Sequence, residues 1–205
     1  MSDSRLSVRA LRMTRALEFI TNLGTSEKAV LDIGCQSGGF CNDLAKLGHK
    51  PVGIEIMPDL IANARRDFPD LKFLVHDCSN GIPFPDSSFD VVWAGEVIEH
   101  IGHTDVFVNE INRVLKVGGY FILTTPMHNM IKNLYIALFK FDKHFDPEFP
   151  HYRFYTKSSL SNVLLKRGFE IDTIGHTGRI SIVANTLFVA AKKIETKKVM
   201  SPFHA

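Results

Sequence analysis

Two hydrophobic periods alternate along this chain. Short runs that are apolar throughout, as in strands buried on both faces, are separated by stretches where apolar residues recur every three or four positions, as on one face of a helix. Residues 5–22 predict a helix with Leu6, Ala10, Met13, Leu17 and Ile20 on one side. Residues 29–33 predict a strand broken only by Asp32, and residues 51–56, 72–75, 89–94 and 120–124 predict four more. Helices are expected at 40–47, stopped by Gly48, and from Pro58, where proline suits a first turn. Thr104 is a candidate cap for the next helix, whose apolar face is Phe107, Val108, Ile111, Val114 and Leu115, ended by Gly118-Gly119.

An extra helix is expected within 127–150, with Ile131, Leu134, Tyr135 and Leu138 on one side and an aromatic loop after it. A helix at 158–166 and strands at 169–174 and 186–191 complete the pattern, and the lysines 192, 193, 197 and 198 read as a solvated tail. Strands alternating with helices imply an α/β fold: a doubly wound, Rossmann-like, seven-stranded, mostly parallel sheet with an antiparallel C-terminal strand. No repeat, linker or low-complexity tract divides the chain, so residues 1–205 read as a single domain.

Composition narrows the class. With 45% hydrophobic and 22% charged residues, the chain is neither disordered nor fibrous. A net charge of +2 gives no argument for nucleic acid, and at most peripheral contact with a membrane. Cys35, Cys41 and Cys78 follow no metal-ligand spacing, and a reduced, cytoplasmic setting is expected. No apolar run reaches the ~18 residues of a membrane span, and no secretory signal is expected. Arg5, Arg9, Arg12 and Arg15 faintly suggest an organelle leader, but Asp3 and Glu18 count against it; an ordinary first helix is the reading.

The candidate chemistry sits at strand ends. In Val30-Leu31-Asp32-Ile33-Gly34-Cys35-Gln36-Ser37-Gly38-Gly39-Phe40 a strand runs into a glycine turn and then a helix, so backbone N–H groups converge where open α/β sheets bind ligands. A dinucleotide site wants G-x-G-x-x-G around a pyrophosphate, but here Gln36 stands at the second glycine and Asp32 would repel phosphates. An acid there attracts an amino group instead, as carried by S-adenosylmethionine. Glu55 ends the second strand, where a carboxylate can accept from two ribose hydroxyls; that alone would suit NAD equally.

These residues resemble the class I S-adenosylmethionine-dependent methyltransferases over almost the whole chain. Asp32-Ile33-Gly34-Cys35-Gln36-Ser37-Gly38 is similar to their first motif, D-x-G-x-G-x-G, with Gln36 departing at the middle glycine. The resemblance implies that Asp32, Gly34, Cys35, Gly38, Glu55, Ile56, Asp77, Cys78 and Glu96 hold S-adenosylmethionine, with Asp77 at the adenine amino group. Pro83-Phe84-Pro85-Asp86-Ser87-Ser88-Phe89-Asp90 resembles the family's entry to the fourth strand.

Glu96-Val97-Ile98-Glu99-His100 resembles a segment of the ubiquinone-pathway O-methyltransferases and of small-RNA 2′-O-methyltransferases. Three roles stay open for it. His100 with Glu96 can be catalytic, the histidine as general base; Glu96, Glu99 and His100, with His151, can hold a divalent metal; or the segment is an ordinary polar helix start. The resemblance places an acceptor-side lid at 127–150, where Tyr135, Phe139, Phe141, Phe145 and Phe149 would cover a partly apolar small-molecule acceptor, unless that stripe is core. His151, Arg153 and Arg179 would face a polar head. The expected function is methyl transfer to a small molecule at oxygen; the alternatives are a non-catalytic S-adenosylmethionine-binding module and an RNA 2′-O-methyltransferase.

Overall fold

The computed structural model describes residues 8–128, 130–144, 153–177 and 186–195. Helix α1 (Val8–Asn22) is followed by β1 (Ala29–Ile33), α2 (Gly39–Lys46), β2 (Lys50–Glu55), α3 (Pro58–Asp67) and β3 (Lys72–Val75). Next come β4 (Phe89–Gly95), α4 (Thr104–Val114), β5 (Leu115–Pro126), α5 (Met130–Phe139) and α6 (Phe141–His144). The last elements are α7 (Lys157–Leu165), β6 (Phe169–Thr177) and β7 (Thr186–Lys193). Seven strands pair in the order β3-β2-β1-β4-β5-β7-β6. β7 runs antiparallel to both neighbours, and the pairs from β3 through β5 are parallel. This is the expected doubly wound, mostly parallel sheet.

The apolar runs become strands because both sheet faces are covered. Leu31, Ile33, Val92, Leu123 and Val189 pack with Phe107, Ile111 and Leu164 on one face. Val30, Val91, Trp93 and Ile122 pack with Ala16, Ile20, Phe40 and Leu44 on the other. At the amino ends of the strands, Asp90 accepts from the Ala29 N–H at 2.9 Å and from Lys116 Nζ at 2.8 Å, which ties β1, β4 and β5 together. Strand order reverses between β1 and β4, so the carboxyl ends of those two strands border a crevice.

Some expectations change. The loop at 83–88 is held by Arg113 of α4, whose guanidinium donates to the carbonyls of Ile82 and Phe84 and pairs with Glu110 and Asp86, so this family-like stretch is a structural clasp. Thr104 does not cap α4: His103 is the cap residue, and the Thr104 hydroxyl lies 2.9 Å from the Tyr155 hydroxyl. β5 starts at Leu115 rather than 120, because Leu115 already pairs with Phe89 before the irregularity that precedes Val91.

Lys193 is no solvated tail. It lies in β7 with no exposed surface, and its Nζ donates to the carbonyls of Asn112 and Leu115, at 2.6 and 2.7 Å, at the end of α4. Those helix-end carbonyls would otherwise lack partners, and burial lowers the ammonium pKa.

The extra helix is two, α5 and α6. Leu134, Tyr135 and Leu138 of α5 face outward, while Ile136 is buried, so the stripe is not core. Phe145, Phe149, His151 and Arg179 lie outside the described residues. No described helix is long and apolar enough to cross a membrane.

Candidate active site

The turn after β1 is clamped onto β2. The N–H groups of Gly34 and Cys35 both donate to the Ile54 carbonyl, at 2.9 and 3.1 Å, and the Gln36 N–H donates to Glu55 Oε2 at 3.2 Å. Gly34 has φ 74°, and a Cβ added there would sit 2.8 Å from Val97 Cγ2. Gln36 adopts φ 51°, so it takes up the left-handed conformation for which the motif's middle glycine is suited. Gln36 is exposed, and the departure from the motif leaves the turn intact. Gly34→Ala will therefore combine left-handed strain with a push on Val97 into the crevice. A fall in donor affinity together with about 1–3 kcal/mol of lost stability is expected, read by calorimetric titration and denaturant melts.

Two connected cavities open at this turn and share Gly34, Gln36, Gly95 and Glu96. The larger, about 250 Å3, is lined by Glu55, Ile56, His76, Cys78, Ser79, His100 and Ile101 among others. The smaller, about 100 Å3, is lined by Asp32, Cys35, Phe40, Trp93, Arg9 and Arg12. Together they have the size of a modest small-molecule site.

Each cavity ends in an acid. The Glu55 carboxylate accepts from three backbone N–H groups, those of Gln36, Ile56 and Met57. That fixes its orientation at the rim of the larger cavity. Asp32 is buried, and among the described residues its hydrogen-bond partner is the Cys41 thiol at 3.4 Å. Burial raises its carboxyl to about 7, helped by Glu55 and opposed by the Cys41 hydrogen bond and the Arg9 charge. A buried acid with so little compensation is suited to receive a cation. Burial also raises both cysteines at the cavity walls, Cys78 to about 12, which makes neither a ready thiolate nucleophile.

Glu96 follows β4 at φ 57°, a strained conformation for a glutamate. Its Oε2 pairs with Arg12 of α1 at 3.1 Å, and burial raises its pKa against the pull of Arg12, Thr124, His100 and Lys132. Glu99 turns inward instead. Its Oε2 accepts from the Thr125 hydroxyl at 3.1 Å, Oε1 is buried without a partner, and burial with the neighbouring Glu96 raises it to about 8. Glu99 lines neither cavity, whereas Glu96 and His100 both do. Among the described residues no three His, Cys, Asp or Glu side chains gather as metal ligands, and His151 lies outside them.

Known proteins resemble this chain in sequence and in fold. A family model described as a methyltransferase domain matches residues 31–123, which holds the glycine turn, Glu55 and the Glu96–His100 segment. A crystal structure of a SAM-dependent methyltransferase from Methanosarcina mazei superposes with a TM-score of 0.70 at 25% identity, covering 86% of this chain and 98% of that one. Residues 31–123 are thus a methyltransferase domain, and the chain as a whole is similar to the class I S-adenosylmethionine-dependent methyltransferases. This methyltransferase is 33% identical over 121 residues to a demethylmenaquinone methyltransferase of Chlorobaculum tepidum, over 57% of this chain and 50% of that protein. It is 36% identical over 108 residues to the chloroplastic tocopherol O-methyltransferase of Arabidopsis thaliana, over 49% and 31%. The chain thus spans half or less of the length of these curated relatives.

Of the residues singled out in the sequence, Asp32, Gly34, Cys35, Glu55, Ile56, Cys78, Glu96 and His100 meet at the two cavities. Two do not. The Asp77 carboxylate turns away to cap the short 3₁₀ turn at Cys78–Asn80, accepting from Ser79 N at 2.9 Å and Asn80 Nδ2 at 3.3 Å. Gly38 serves the helix start: it is the cap residue of α2 at φ 79°, and a Cβ there would strike the Phe73 ring at 2.6 Å. Arg9 and Arg12 are the functional surprise, because they reach the methyltransferase site from α1, far off in sequence.

Proposed function

We propose that this domain binds S-adenosylmethionine across the two cavities and transfers its methyl group to a hydroxyl of a small, partly apolar acceptor. The observation that carries the reading is the pair of acids lining two adjoining cavities, Asp32 the smaller and Glu55 the larger. That layout complements a ligand with an ammonium at one end and a vicinal diol at the other. Ionised Asp32 would hold the amino group, Arg9 or Arg12 the carboxylate beside it, and Glu55 the ribose hydroxyls. When bound, the donor supplies an electrophilic methyl on sulfur.

The chain's own residues do the rest. Positioning dominates an in-line displacement, and the rigid turn clamped to β2 supplies it. A hydroxyl nucleophile must lose a proton, and His100, on the wall of the larger cavity beside Glu96, is placed to take it. The oxygen assignment gains support from the tocopherol relative, named as an O-methyltransferase. The quinone and tocopherol of the relatives' names fit a ring-bearing acceptor. Residues 127–150 then form the acceptor side of the site.

Titration of Glu55→Ala with S-adenosylmethionine tests the donor assignment. An affinity loss of about tenfold to a hundredfold is expected, since hydrogen bonds to a charged group contribute about 1.5–3 kcal/mol. Wild-type protein that prefers NAD over S-adenosylmethionine would sink the reading. Turnover of labelled donor with hydroquinone acceptors then separates oxygen from carbon as the methylated atom.

A further inference from the structure

Helix α5 is turned inside out for a helix in water. Its inward residues are Ile136, which is buried, and the half-buried Lys132, whose Nζ donates to the Met127 carbonyl; the exposed Asn133 holds its Oδ1 2.8 Å from His128 Nδ1. Met130, Leu134, Tyr135, Leu138 and Phe139 face outward, and Phe141 of α6 extends the patch; Met130 is 82% exposed and Phe139 68%. Surface helices of globular proteins present the opposite arrangement, with the apolar stripe toward the core. A contiguous exposed apolar patch of this kind marks an interaction surface.

We infer that this face seats on the surface of a lipid bilayer. Two observations select that occupant. The outward side chains mix leucine with Tyr135, Phe139 and Phe141, the composition that suits the boundary between headgroups and acyl chains. A ten-residue helix, about 15 Å long, offers well under the ~800 Å2 per partner that a stable dimer buries. The placement also has a use that rests on the proposed function: α5 follows the end of β5, next to Glu96, so an apolar acceptor held in the bilayer is delivered at the site.

Co-sedimentation of the full chain with phosphatidylcholine vesicles containing one third phosphatidylglycerol, at low salt, tests this. Wild-type protein is expected in the pellet, and the double variant Leu138→Glu, Phe139→Glu should partition at least tenfold less. Both positions are exposed, and unchanged S-adenosylmethionine binding in the same sample shows that the variant is folded. Wild-type protein left in the supernatant, or a variant that pellets equally, overturns the inference. So does a dimer in gel filtration that the variant dissociates while vesicles bind neither form. The vesicle assay involves no turnover, so a failure of the methyl-transfer reading shows in the donor titration and leaves this result separate.

Discussion

Asp32→Asn is expected to raise the melting temperature of the donor-free protein at pH 8 while cutting its S-adenosylmethionine affinity tenfold or more. The two effects share one cause. Burial raises the Asp32 carboxyl to about 7 in the folded protein, whereas the unfolded chain titrates near the ordinary ~4. Between those values the folded state binds more protons than the unfolded state, so stability falls as pH rises. Above about pH 7 the whole cost of the buried charge is present, on the order of 4 kcal/mol at most. Asparagine removes that cost, which amounts to several degrees in a chain of this size. The gain should vanish near pH 4, where the wild-type acid is already neutral.

For the wild type, donor affinity should strengthen as pH climbs through about 7, because the ionised acid pairs best with an ammonium. Melting curves and titrations across pH 4–8.5 read both effects. A stability gain of equal size at pH 4 and pH 8 would show that the charge is not its source. Unchanged affinity in the variant would remove Asp32 from the donor site.

The second large effect is expected at His100. Loss of a general base typically costs about 10²–10⁴ in rate, so His100→Ala should lower kcat by that much and leave donor affinity within a few-fold. Partial rescue by added imidazole would support proton transfer. A variant with normal kcat would leave His100 as a wall of the cavity and nothing more.

The parts of this molecule that were legible in sequence are the ones set by local order. Asp32 and Glu55 could be found because each is the acid at the end of an apolar strand, and a parallel sheet brings such ends to one edge. Strands β1, β4 and β7 were likewise readable from apolar runs buried on both faces. Arg12 was not, because nothing in the spacing of α1 tells that its guanidinium meets Glu96, a residue positioned by another strand. Lys193 misled for a related reason. A lysine among tail lysines reads as solvated, and only the packing of β7 beside α4 reveals two bare carbonyls for it to satisfy. Asp77 sits next to the cavity-lining Cys78, and its carboxylate caps the local turn there, a contact that its place at a strand end does not announce. In α5 the helical period was read correctly, but period alone does not say which face meets the core.

The position of β7 also bears on how the chain is made. It inserts between β5 and β6, so the strand that joins them is synthesised after both. Until it emerges from the ribosome, β5 is an open edge whose backbone at Phe121, Ile122 and Leu123 has no strand partner on the side that β7 will take, and β6 has no strand to pair with. An exposed apolar edge is a template for pairing with other chains. Every residue assigned to the donor is already translated by Glu96, long before the sheet can close. Nascent chains of this protein therefore hold a finished ligand motif in an unfinished sheet, and this is the interval in which chaperones have the most to protect.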